Sequence, residues 1–534
     1  MAFFRICGVL LGWVLAAGCA LAQAPFQAPP APRFDIQRFV VEGNTLLPPE
    51  QVERIVAPHA GKSRDFGDVQ RALEALQDAY LARGYSAARV LVPEQELARG
   101  EVRLQVVEAR IRNLRVEGNQ IFDRANVLAS LPSLTLGESP NTDRIGRNVQ
   151  LVNENPAKQV SIRLEATDER GKVDAVARVT EEKPVRYIAS FDSSGNANTG
   201  YYRVGAGYVN ANMFNRDHML TLQAITSPSQ VSDVTILAGG YRIPFYEWNG
   251  AIDLTVAYSN VNSGSVGGLL NVSGAGSVYG VRYSQILPRI EAYEHKLALG
   301  YDYRDYHQNI TFGGGGPGLL PDITVKPLTL TYSGRYVRVG REINGFAAFS
   351  QNIPGGADGS QAAFSSNAQT GAANRPQARA AYNVWRFGAV WSEALPKDYL
   401  LRAAFNGQYS NDRLAPVEAF GMGGADSVRG FNERETASDK GHRLSVEGYS
   451  PDFGSHLGAA WRARGLAFVD VARGSDQDPV RGDKNGLASV GLGMRLNQGK
   501  ALSFRVDWAH VMNAAGTRPL GKDKVFFALS YTFQ

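Results

Sequence analysis

The period of hydrophobic and polar positions changes along this chain. From residue 34 to residue 183, strand-like alternation is mixed with segments in which apolar residues recur every three or four positions, as in an amphipathic helix. From Tyr187 onward the helical period is absent. Segments of about ten residues there alternate between apolar and polar positions and are separated by Gly, Asn, Asp or Pro. The pattern predicts an α+β region followed by a long all-β region.

The α+β region contains a duplication. The stretch FVVEGNTLLPPEQVERIV (Phe39–Val56) aligns with LRVEGNQIFDRANVLASL (Leu114–Leu131), so Val-Glu-Gly-Asn recurs after 116 − 41 = 75 residues. A repeat of this length favours two small domains over a solenoid of short repeats. We place the two domains at residues 34–108 and 109–183.

Both copies predict the element order β-α-α-β-β. A short strand ends at a Gly-Asn turn, which is Gly43-Asn44 in the first copy and Gly118-Asn119 in the second. A helix follows, starting at Pro48-Pro49 in the first copy. The second helix, DVQRALEALQDAYLARG, has helical apolar spacing and stops at Gly84. Two strands then complete the unit.

This order resembles the POTRA domain. In the first copy Gly84, Tyr85, Pro93 and Gln95 match landmarks of that family, and RNVQLVNENP (147–156) resembles its second helix and turn in the second copy. The resemblance implies periplasmic domains that bind unfolded clients, and we expect strand addition at a sheet edge to be the physical basis of this binding. Two ordinary α+β modules of unknown purpose are the alternative.

The all-β region predicts a transmembrane antiparallel barrel over residues 184–534. In ALSFRVDWAH, Leu502, Phe504, Val506 and Trp508 share one face, whereas Ser503, Arg505 and Asp507 share the other. Charges inside and aromatic residues outside suit a barrel with a wet lumen and a lipid-facing wall. The 350 residues from 185 to 534 allow about sixteen strands, at roughly 22 residues per strand and turn. Long Gly-, Ala-, Ser- and Asn-rich stretches, such as Asn352–Arg379, predict external loops.

The first 22 residues have the layout of a cleaved secretory signal peptide. Arg5 precedes an apolar run from Ile6 to Leu15, and an A-x-A site follows at Ala20–Ala22. The stretch ending at Cys19 also resembles a lipid-attachment box, so lipidation stays an alternative. Because both cysteines lie in this segment, a chain cleaved after Ala22 has no thiol for a disulfide, zinc site or nucleophile.

A glycine-rich stretch in the last third of the chain, GGADSVRGFNERE, presents one arginine between Val428 and Gly430, with Phe431 next. Together with two POTRA-like units and a C-terminal barrel, this stretch resembles the VRGF motif of the two-partner secretion transporters, the haemolysin activator/secretion family. In that family the motif lies on a long loop folded into the lumen, here expected at about residues 415–441. The resemblance covers essentially all of the chain after the signal peptide.

A second motif of that family matches Phe468-x-Asp470 in LAFVDVARG. The resemblance implies that Asp470 points into the lumen and receives Arg429, since a guanidinium presents a rigid donor fork that lysine lacks. We expect a pair in a wet lumen to contribute little to stability while selecting one loop conformation. Gly430 would allow a tight turn, and Phe431 would pack against the wall. A solvated loop charge is the alternative.

Two further features bear on the family resemblance. FDSSGNANTG, from Phe191 to Gly200, resembles the opening strand and turn of the family's barrel. Many members carry an N-terminal helix that plugs the pore, but the linker at residues 23–33 is short and rich in Pro and Ala. Because proline disfavours a helix interior, we expect the plug to be absent or much reduced.

The sequence offers no positive evidence for catalysis. It contains no G-x-S-x-G, Walker A or H-E-x-x-H motif, and its 7 histidines lack metal-ligand spacing. Gly313–Gly318 (GGGGPG) fits G-x-G-x-x-G only formally and predicts a turn. The net charge of +5 gives no nucleic-acid footprint. We therefore expect no enzyme activity, cofactor, metal or nucleic-acid partner.

The resemblance implies an outer-membrane pore of a Gram-negative bacterium that exports a large exoprotein. Its POTRA domains would capture the cargo's N-terminal secretion domain, and the barrel would conduct the unfolded cargo without nucleotide. We expect a monomer in contact with outer-membrane lipids. An outer-membrane protein assembly factor is the main alternative, although such factors typically have more than two POTRA repeats. A passive porin, which needs no POTRA repeat or VRGF motif, is the other.

Overall fold

The structure is a computed structural model. It describes residues 32–96, 100–196, 199–231, 234–261, 264–266, 270–272, 275–307, 322–365, 375, 377–477, 485–514 and 519–533. The expected signal peptide, all but the last two residues of the linker at 23–33, and the glycine run at 313–318 lie outside the described residues.

The first α+β unit has a three-stranded sheet and two helices. Its elements are β1 (Phe34–Ile36), β2 (Arg38–Glu42), α1 (Pro49–Val56), a 3-10 turn (Ala57–His59), β3 (Gly61–Arg64), α2 (Phe66–Ala82), β4 (Ala88–Leu91) and β5 (Glu101–Glu108). The sheet order is β2-β5-β4, with β2 and β5 parallel, while β1 and β3 form a separate antiparallel pair. The predicted β-α-α-β-β order is confirmed. The β1–β3 pair was not predicted, because GKSR in β3 has no apolar residue to alternate.

The second α+β unit repeats this architecture without the additional pair. It consists of β6 (Arg110–Glu117), α3 (Arg124–Ala129), α4 (Thr142–Val152), β7 (Lys158–Ala166) and β8 (Lys172–Glu181). The sheet order is β6-β8-β7, with β6 parallel to β8 and β7 antiparallel to it. Asp123 caps α3 and Asn141 caps α4, each accepting a hydrogen bond from a backbone N–H of its helix.

Most of the remaining strands form a closed antiparallel barrel of sixteen strands, as predicted. The wall strands are β9 (Val185–Asp192), β10 (Arg203–Met213), β11 (His218–Thr226), β12 (Thr235–Phe245), β13 (Gly250–Ser259), β16 (Gly276–Ile286), β17 (Tyr293–Tyr306), β18 with β19 (Ile323–Val325 and Pro327–Arg338), β20 (Arg341–Asn352), β21 (Asn383–Ala394), β22 (Leu400–Tyr409), β25 (Lys440–Tyr449), β26 (Trp461–Ser475), β27 (Asn485–Gln498), β28 (Leu502–Asn513) and β29 (Asp523–Phe533). We count β18 and β19 as one strand interrupted at Lys326, since both pair with β17. Pairing of β29 with β9 closes the ring.

Short elements occupy the connections between wall strands. They are the strand pairs β14 (Gly264–Val266) with β15 (Leu270–Val272) and β23 (Phe420–Met422) with β24 (Thr436–Ser438), the helix α5 (Gln361–Ser365), and 3-10 turns at Tyr246–Trp248, Pro396–Asp398, Pro416–Glu418 and Gly454–Leu457. The predicted loop at Asn352–Arg379 begins where β20 ends and contains α5, and its residues 366–374 and 376 lie outside the described part. Phe364 of α5 is fully buried beside Tyr382 and Leu414.

The two faces of the wall strands differ as their alternation predicts. On β28, Trp508 is 41% exposed, whereas its neighbour Asp507 is 3% exposed. On β29, Leu529, Tyr531 and Phe533 are all exposed. Successive side chains of a strand point to opposite faces, so aromatic and aliphatic groups cover the outside while charged groups line the lumen.

The second α+β unit is joined to the rim of the barrel by buried polar contacts. Lys158 of β7 donates to Asp217, in the turn between β10 and β11, at 2.6 Å and to Asn126 at 2.7 Å. Tyr246, in the turn between β12 and β13, donates to the same Asp217 carboxylate at 2.7 Å. Burial lowers the pKa of Lys158 despite the nearby carboxylate.

The apolar side of this joint extends the core of the second unit onto the barrel. Ala211 of β10 belongs to the same buried cluster as Phe122, Val127 and Val152. Leu151 packs in a separate cluster with Ala251 and Ile286 of the wall. Buried apolar packing and a fully hydrogen-bonded polar network therefore both stabilise the joint between the second unit and the barrel.

Among the described residues, none of the helices combines the length and the apolar character that crossing a bilayer would require.

Candidate functional site

One long connection of the barrel folds into its lumen. We call residues 410–439, between β22 and β25, the inward loop. The loop contacts inward-facing side chains of the wall, including Asp470 of β26 and Arg304 of β17. A cavity of about 640 Å³ lies beside the second α+β unit, and another of about 860 Å³ lies between the inward loop and the wall.

The inward loop is a hairpin. Strands β23 and β24 pair antiparallel in the register Phe420 with Ser438 and Met422 with Thr436. Near the tip, the backbone of Gly424 donates to Val428 O at 3.2 Å, and Ala425 N donates to the Glu433 carboxylate at 2.8 Å. These bonds satisfy backbone groups that would otherwise be buried without partners.

Arg429 lies at the tip of this hairpin and pairs with Asp470. Its Nε and Nη2 donate to the two carboxylate oxygens of Asp470 at 2.7 and 2.8 Å, a bidentate geometry. The backbone N–H of Arg429 donates to the same carboxylate at 3.0 Å. Asp470 thus holds both the side chain and the main chain of the tip.

The remaining donors of Arg429 meet groups on β25. Nη1 donates to Glu447 at 2.8 Å, and Nη2 donates to the Ser445 hydroxyl at 3.1 Å. The guanidinium carbon lies 3.4 Å from the centroid of the Phe468 ring. Phe468 therefore supports the plane of the guanidinium while carboxylates hold its edge.

The charges around Arg429 are balanced. Glu447 is also paired with Arg402 at 3.0 Å, and Asp507, 3.6 Å from Arg429, is paired with Arg495 at 2.8 Å. With Asp470, three carboxylates thus face three guanidinium groups. Each carboxylate on the wall therefore has a cation close by.

The expectation of a solvated pair at this site is wrong. Arg429 is 4% exposed, Asp470 is 0% exposed and Glu447 is 5% exposed. The cause is packing, because the loop tip covers the wall and excludes solvent. Breaking a buried pair by removing one partner is strongly destabilising, at about 3–5 kcal/mol, which is far from the small effect expected for a wet pair.

The other residues of the VRGF motif hold the tip against the wall. Val428 and Phe431 are fully buried in one cluster with Met422 of the loop and Leu487 and Val511 of the wall. Gly430 has φ +97°, a conformation that side chains other than glycine rarely adopt, and a Cβ there would lie 3.2 Å from Val511 Cγ2.

The predicted landmarks of the α+β units lie at turns and strand edges. Gly43 and Gly118 have φ values of +80° and +85° in equivalent turns. Asn44 donates to Leu47 O at 2.8 Å, and Asn119 donates to Phe122 O at 3.1 Å. These four residues therefore shape the turn after the first strand of each unit.

Of the other four landmarks, two follow α2, one follows β4 and one lies beside β5. Gly84, with φ +83°, follows the end of α2, and Tyr85 comes next. Pro93 follows β4, and Gln95 exchanges two hydrogen bonds with the backbone of Arg103, at 2.6 and 2.9 Å. The Gln95 side chain thus continues the pairing of β5 after β4 has ended.

Sequence reasoning missed Ser445 and Glu447, and it placed Asp507 on the inward face without connecting it to Arg429. Ser445 and Glu447 reach Arg429 through strand register, which places Ser445 opposite Asp470 and Glu447 opposite Phe468. The sequence did contain a signal for such partners, namely a charged residue at an inward-facing position of a wall strand. Glu447, which lies between two outward-facing residues, is an example. The buried Lys158 at the rim was also missed.

Among the described residues, no group of three or more His, Cys, Asp or Glu side chains is arranged to hold a metal ion.

Comparison with known families matches both parts of the chain. The POTRA domain of ShlB type matches residues 34–109. The family described as haemolysin secretion/activation protein ShlB/FhaC/HecB matches residues 171–311 and 345–496. Together these two segments of the second match cover more than half of the chain.

Two curated relatives align over most of the chain. The heme/hemopexin transporter protein HuxB of Haemophilus influenzae is 21% identical over 476 residues, covering 86% of this chain and 80% of the relative. The outer membrane transporter CdiB of Escherichia coli O6:K15:H31 (strain 536 / UPEC) is 25% identical over 450 residues, covering 83% and 71%.

Solved structures show the same fold. CdiB from Escherichia coli superposes with a TM-score of 0.75 at 18% identity, covering 96% of this chain and 93% of that one. CdiB from Acinetobacter baumannii has a TM-score of 0.69 at 16% identity, covering 94% and 90%.

Proposed function

The chain belongs to the haemolysin secretion/activation protein family ShlB/FhaC/HecB, and on that premise we propose that the inward loop, held by Arg429, controls the passage of an exported polypeptide through the barrel. The protein is an outer-membrane transporter of two-partner secretion, with its POTRA domains in the periplasm. Transporters of this family work with a secreted exoprotein.

The cargo of this chain is a large exoprotein with an N-terminal secretion domain. The two POTRA domains, at residues 34–108 and 109–183, capture that domain unfolded in the periplasm. The cargo then threads the barrel at residues 184–534 and folds outside, and no nucleotide is consumed. The transporter acts as a monomer among outer-membrane lipids, and it carries out no catalysis.

The observation that carries the proposal is the burial of Arg429 in a complete set of partners. Carboxylates bind the edge of the Arg429 guanidinium and the Phe468 ring packs on its face. Because both sets of contacts have to be made at once, they favour one conformation of the loop. That conformation places the tip of the hairpin in the lumen, where an exported chain has to pass. The Arg429–Asp470 contact thus works as a latch that fixes the loop in the resting pore and rearranges during export.

Deleting the gene in its source bacterium tests the export function. Proteins of the supernatant, the cell surface and the outer membrane are compared between the deletion strain and its parent. Loss of one large secreted or surface protein supports two-partner export and identifies the cargo. A broad fall in many outer-membrane barrels would instead favour an assembly factor, and no change in either fraction would favour a porin.

The variant Arg429→Ala tests the latch. We expect the barrel to insert, as judged by heat-modifiable migration of the folded form, while the secreted cargo falls strongly. Export at the parental level by an inserted Arg429→Ala barrel would refute the latch.

A further inference from the structure

A second buried contact holds the inward loop, on a different part of the wall from Arg429. Glu418, in the 3-10 turn at the start of the loop, has a side chain that is 1% exposed. Arg304 of β17 donates to one carboxylate oxygen at 2.9 Å, and Arg386 of β21 donates to the other at 3.0 Å. A loop carboxylate thus lies between two wall cations, the reverse of the charges at Arg429.

Two contacts of the loop, one at Glu418 and one at Asp426, lie on opposite sides of the wall. Counted along the ring from β9, β17 is the seventh wall strand and β28 is the fifteenth, so they are eight positions apart in a ring of sixteen. Glu418 meets Arg304 on the seventh strand, while Asp426 near the tip meets Arg505 on the fifteenth at 2.6 Å. The hairpin therefore spans the lumen from wall to wall.

The body of the loop is stiff enough to connect the two ends. The β23–β24 pairing holds its outgoing and returning limbs together, and Arg434 of the returning limb donates to Pro416 O at 2.9 Å. Gln408 of the wall donates to the backbone oxygen of Glu418 at 3.0 Å. Release of either end alone would leave the hairpin tied across the pore at the other.

We propose that Glu418 is a second positioning residue for export: its contact with Arg304 and Arg386 holds the inward loop across the resting pore and breaks when an extended polypeptide passes. This inference rests on the proposed function, in which the loop controls passage. It adds a contact that acts from the opposite end of the hairpin to the Arg429 latch.

The wall is able to tolerate loss of the Glu418 carboxylate. Arg304 keeps Asp302 at 2.6 Å, and Arg386 keeps the Gln408 side chain at 2.9 Å. Both arginines therefore retain a hydrogen-bond partner when Glu418→Gln removes the negative charge, and the barrel is expected to fold. An effect of this variant on the pore would then report the position of the loop.

The experiment compares the full-length protein with Glu418→Gln in planar lipid bilayers, without cargo. We expect Glu418→Gln to raise the fraction of time spent in open states about tenfold, the effect of losing one charge-assisted hydrogen bond from the closed state. Arg386→Gln, which leaves Arg304 on Glu418, is expected to give a smaller rise and serves if Glu418→Gln does not fold. Heat-modifiable migration verifies folding of every variant.

Glu342→Gln is the matched control. Glu342 pairs with Arg335 at 2.9 Å between β19 and β20, and this pair lies outside the contacts of the inward loop. The same carboxylate-to-amide change should there leave the open fraction at the parental value. Folded Glu418→Gln and Arg386→Gln barrels with parental open fractions would overturn the inference, as would an equal rise in Glu342→Gln.

The bilayer readout separates this inference from the proposed function, because it needs no cargo. Export at the parental level by Arg429→Ala would refute the latch. The effect of Glu418→Gln on the open fraction of the pore could still be measured in that case. Export is measured in the Glu418→Gln strain as well. Reduced or deregulated export supports a role of the contact in transport, whereas fully parental export would overturn that role.

Discussion

Lys158 of the second α+β unit and Asp217 of the barrel rim form an ion pair with side chains only 0% and 2% exposed. Asn126 accepts from Lys158 and donates to Asp217 at 3.1 Å, and Tyr246 donates to Asp217, so each charge has further hydrogen-bond partners. Together with Tyr246, the pair connects the second α+β unit to two turns of the wall. A buried polar network therefore holds the second unit to the rim of the barrel.

The two members of this pair should respond unequally to substitution. Asp217→Asn leaves the Lys158 ammonium buried without its countercharge, a change that typically costs about 3–5 kcal/mol. Lys158→Met removes the cation and leaves a carboxylate that keeps Asn126 and Tyr246 as donors, so we expect a smaller loss. Thermal unfolding of the purified protein and trypsin cleavage between the second unit and the barrel measure both variants. Equal destabilisation would argue against the buried charge as the cause.

Arg429→Lys should impair export nearly as much as Arg429→Ala, although the charge is kept. Lysine offers a point charge, which can neither bind both oxygens of Asp470 in one plane nor stack flat on Phe468. The secreted cargo, measured relative to inserted barrel, is the readout. Arg335→Lys, at the exposed pair with Glu342, is the matched control and should export normally. Normal export by Arg429→Lys would mean that charge alone holds the loop.

The faces of the barrel could be predicted from the sequence because a strand has a period of two. Trp508 outside and Asp507 inside follow from alternation in a single strand. The pairing of Arg429 with Asp470 has a different origin. It links residues 41 positions apart and came from the motif resemblance, since no local period relates a loop tip to a wall strand.

The rest of the site depends on register and packing. Glu447 and Ser445 come close to Arg429 because β25 and β26 pair in one specific register, which alternation alone leaves undetermined. The dryness of the site depends on how closely Phe431 and Val428 fill the space beside Val511. Neither relation can be predicted from the residues of one strand alone. The sequence therefore predicted a solvent-exposed ion pair, whereas packing in the folded protein buries it.

Gly430→Ala tests the geometry of the tip without changing any charge. At φ +97° an alanine is strained, and its Cβ would lie 3.2 Å from Val511 Cγ2. We expect the tip to shift from Asp470 and export to fall, while the barrel still inserts. Gly448→Ala on β25 is the control, since a Cβ there meets nothing within 4 Å and its φ is ordinary. Similar export by the two variants would show that the turn at Gly430 is dispensable.

The duplicated Gly-Asn turns offer a test of the α+β units that is independent of export. Gly118 has φ +85°, and a Cβ there would lie 2.4 Å from the backbone oxygen of Val179, so the neighbouring strand has to move. Backbone strain of this kind costs about 1–3 kcal/mol before the steric overlap is added. We therefore expect Gly118→Ala to lower the unfolding temperature of the second unit.

Gly146→Ala in the same unit provides the opposite expectation. Gly146 lies within α4, and a Cβ there meets nothing within 4 Å, so alanine should stabilise the helix by about 0.5–1 kcal/mol. Thermal unfolding of the full-length protein in detergent measures both variants. Gly118→Ala should unfold at a lower temperature than the parent, and Gly146→Ala at an equal or higher one. A reversed order would contradict the assignment of Gly118 to a turn that only glycine fits.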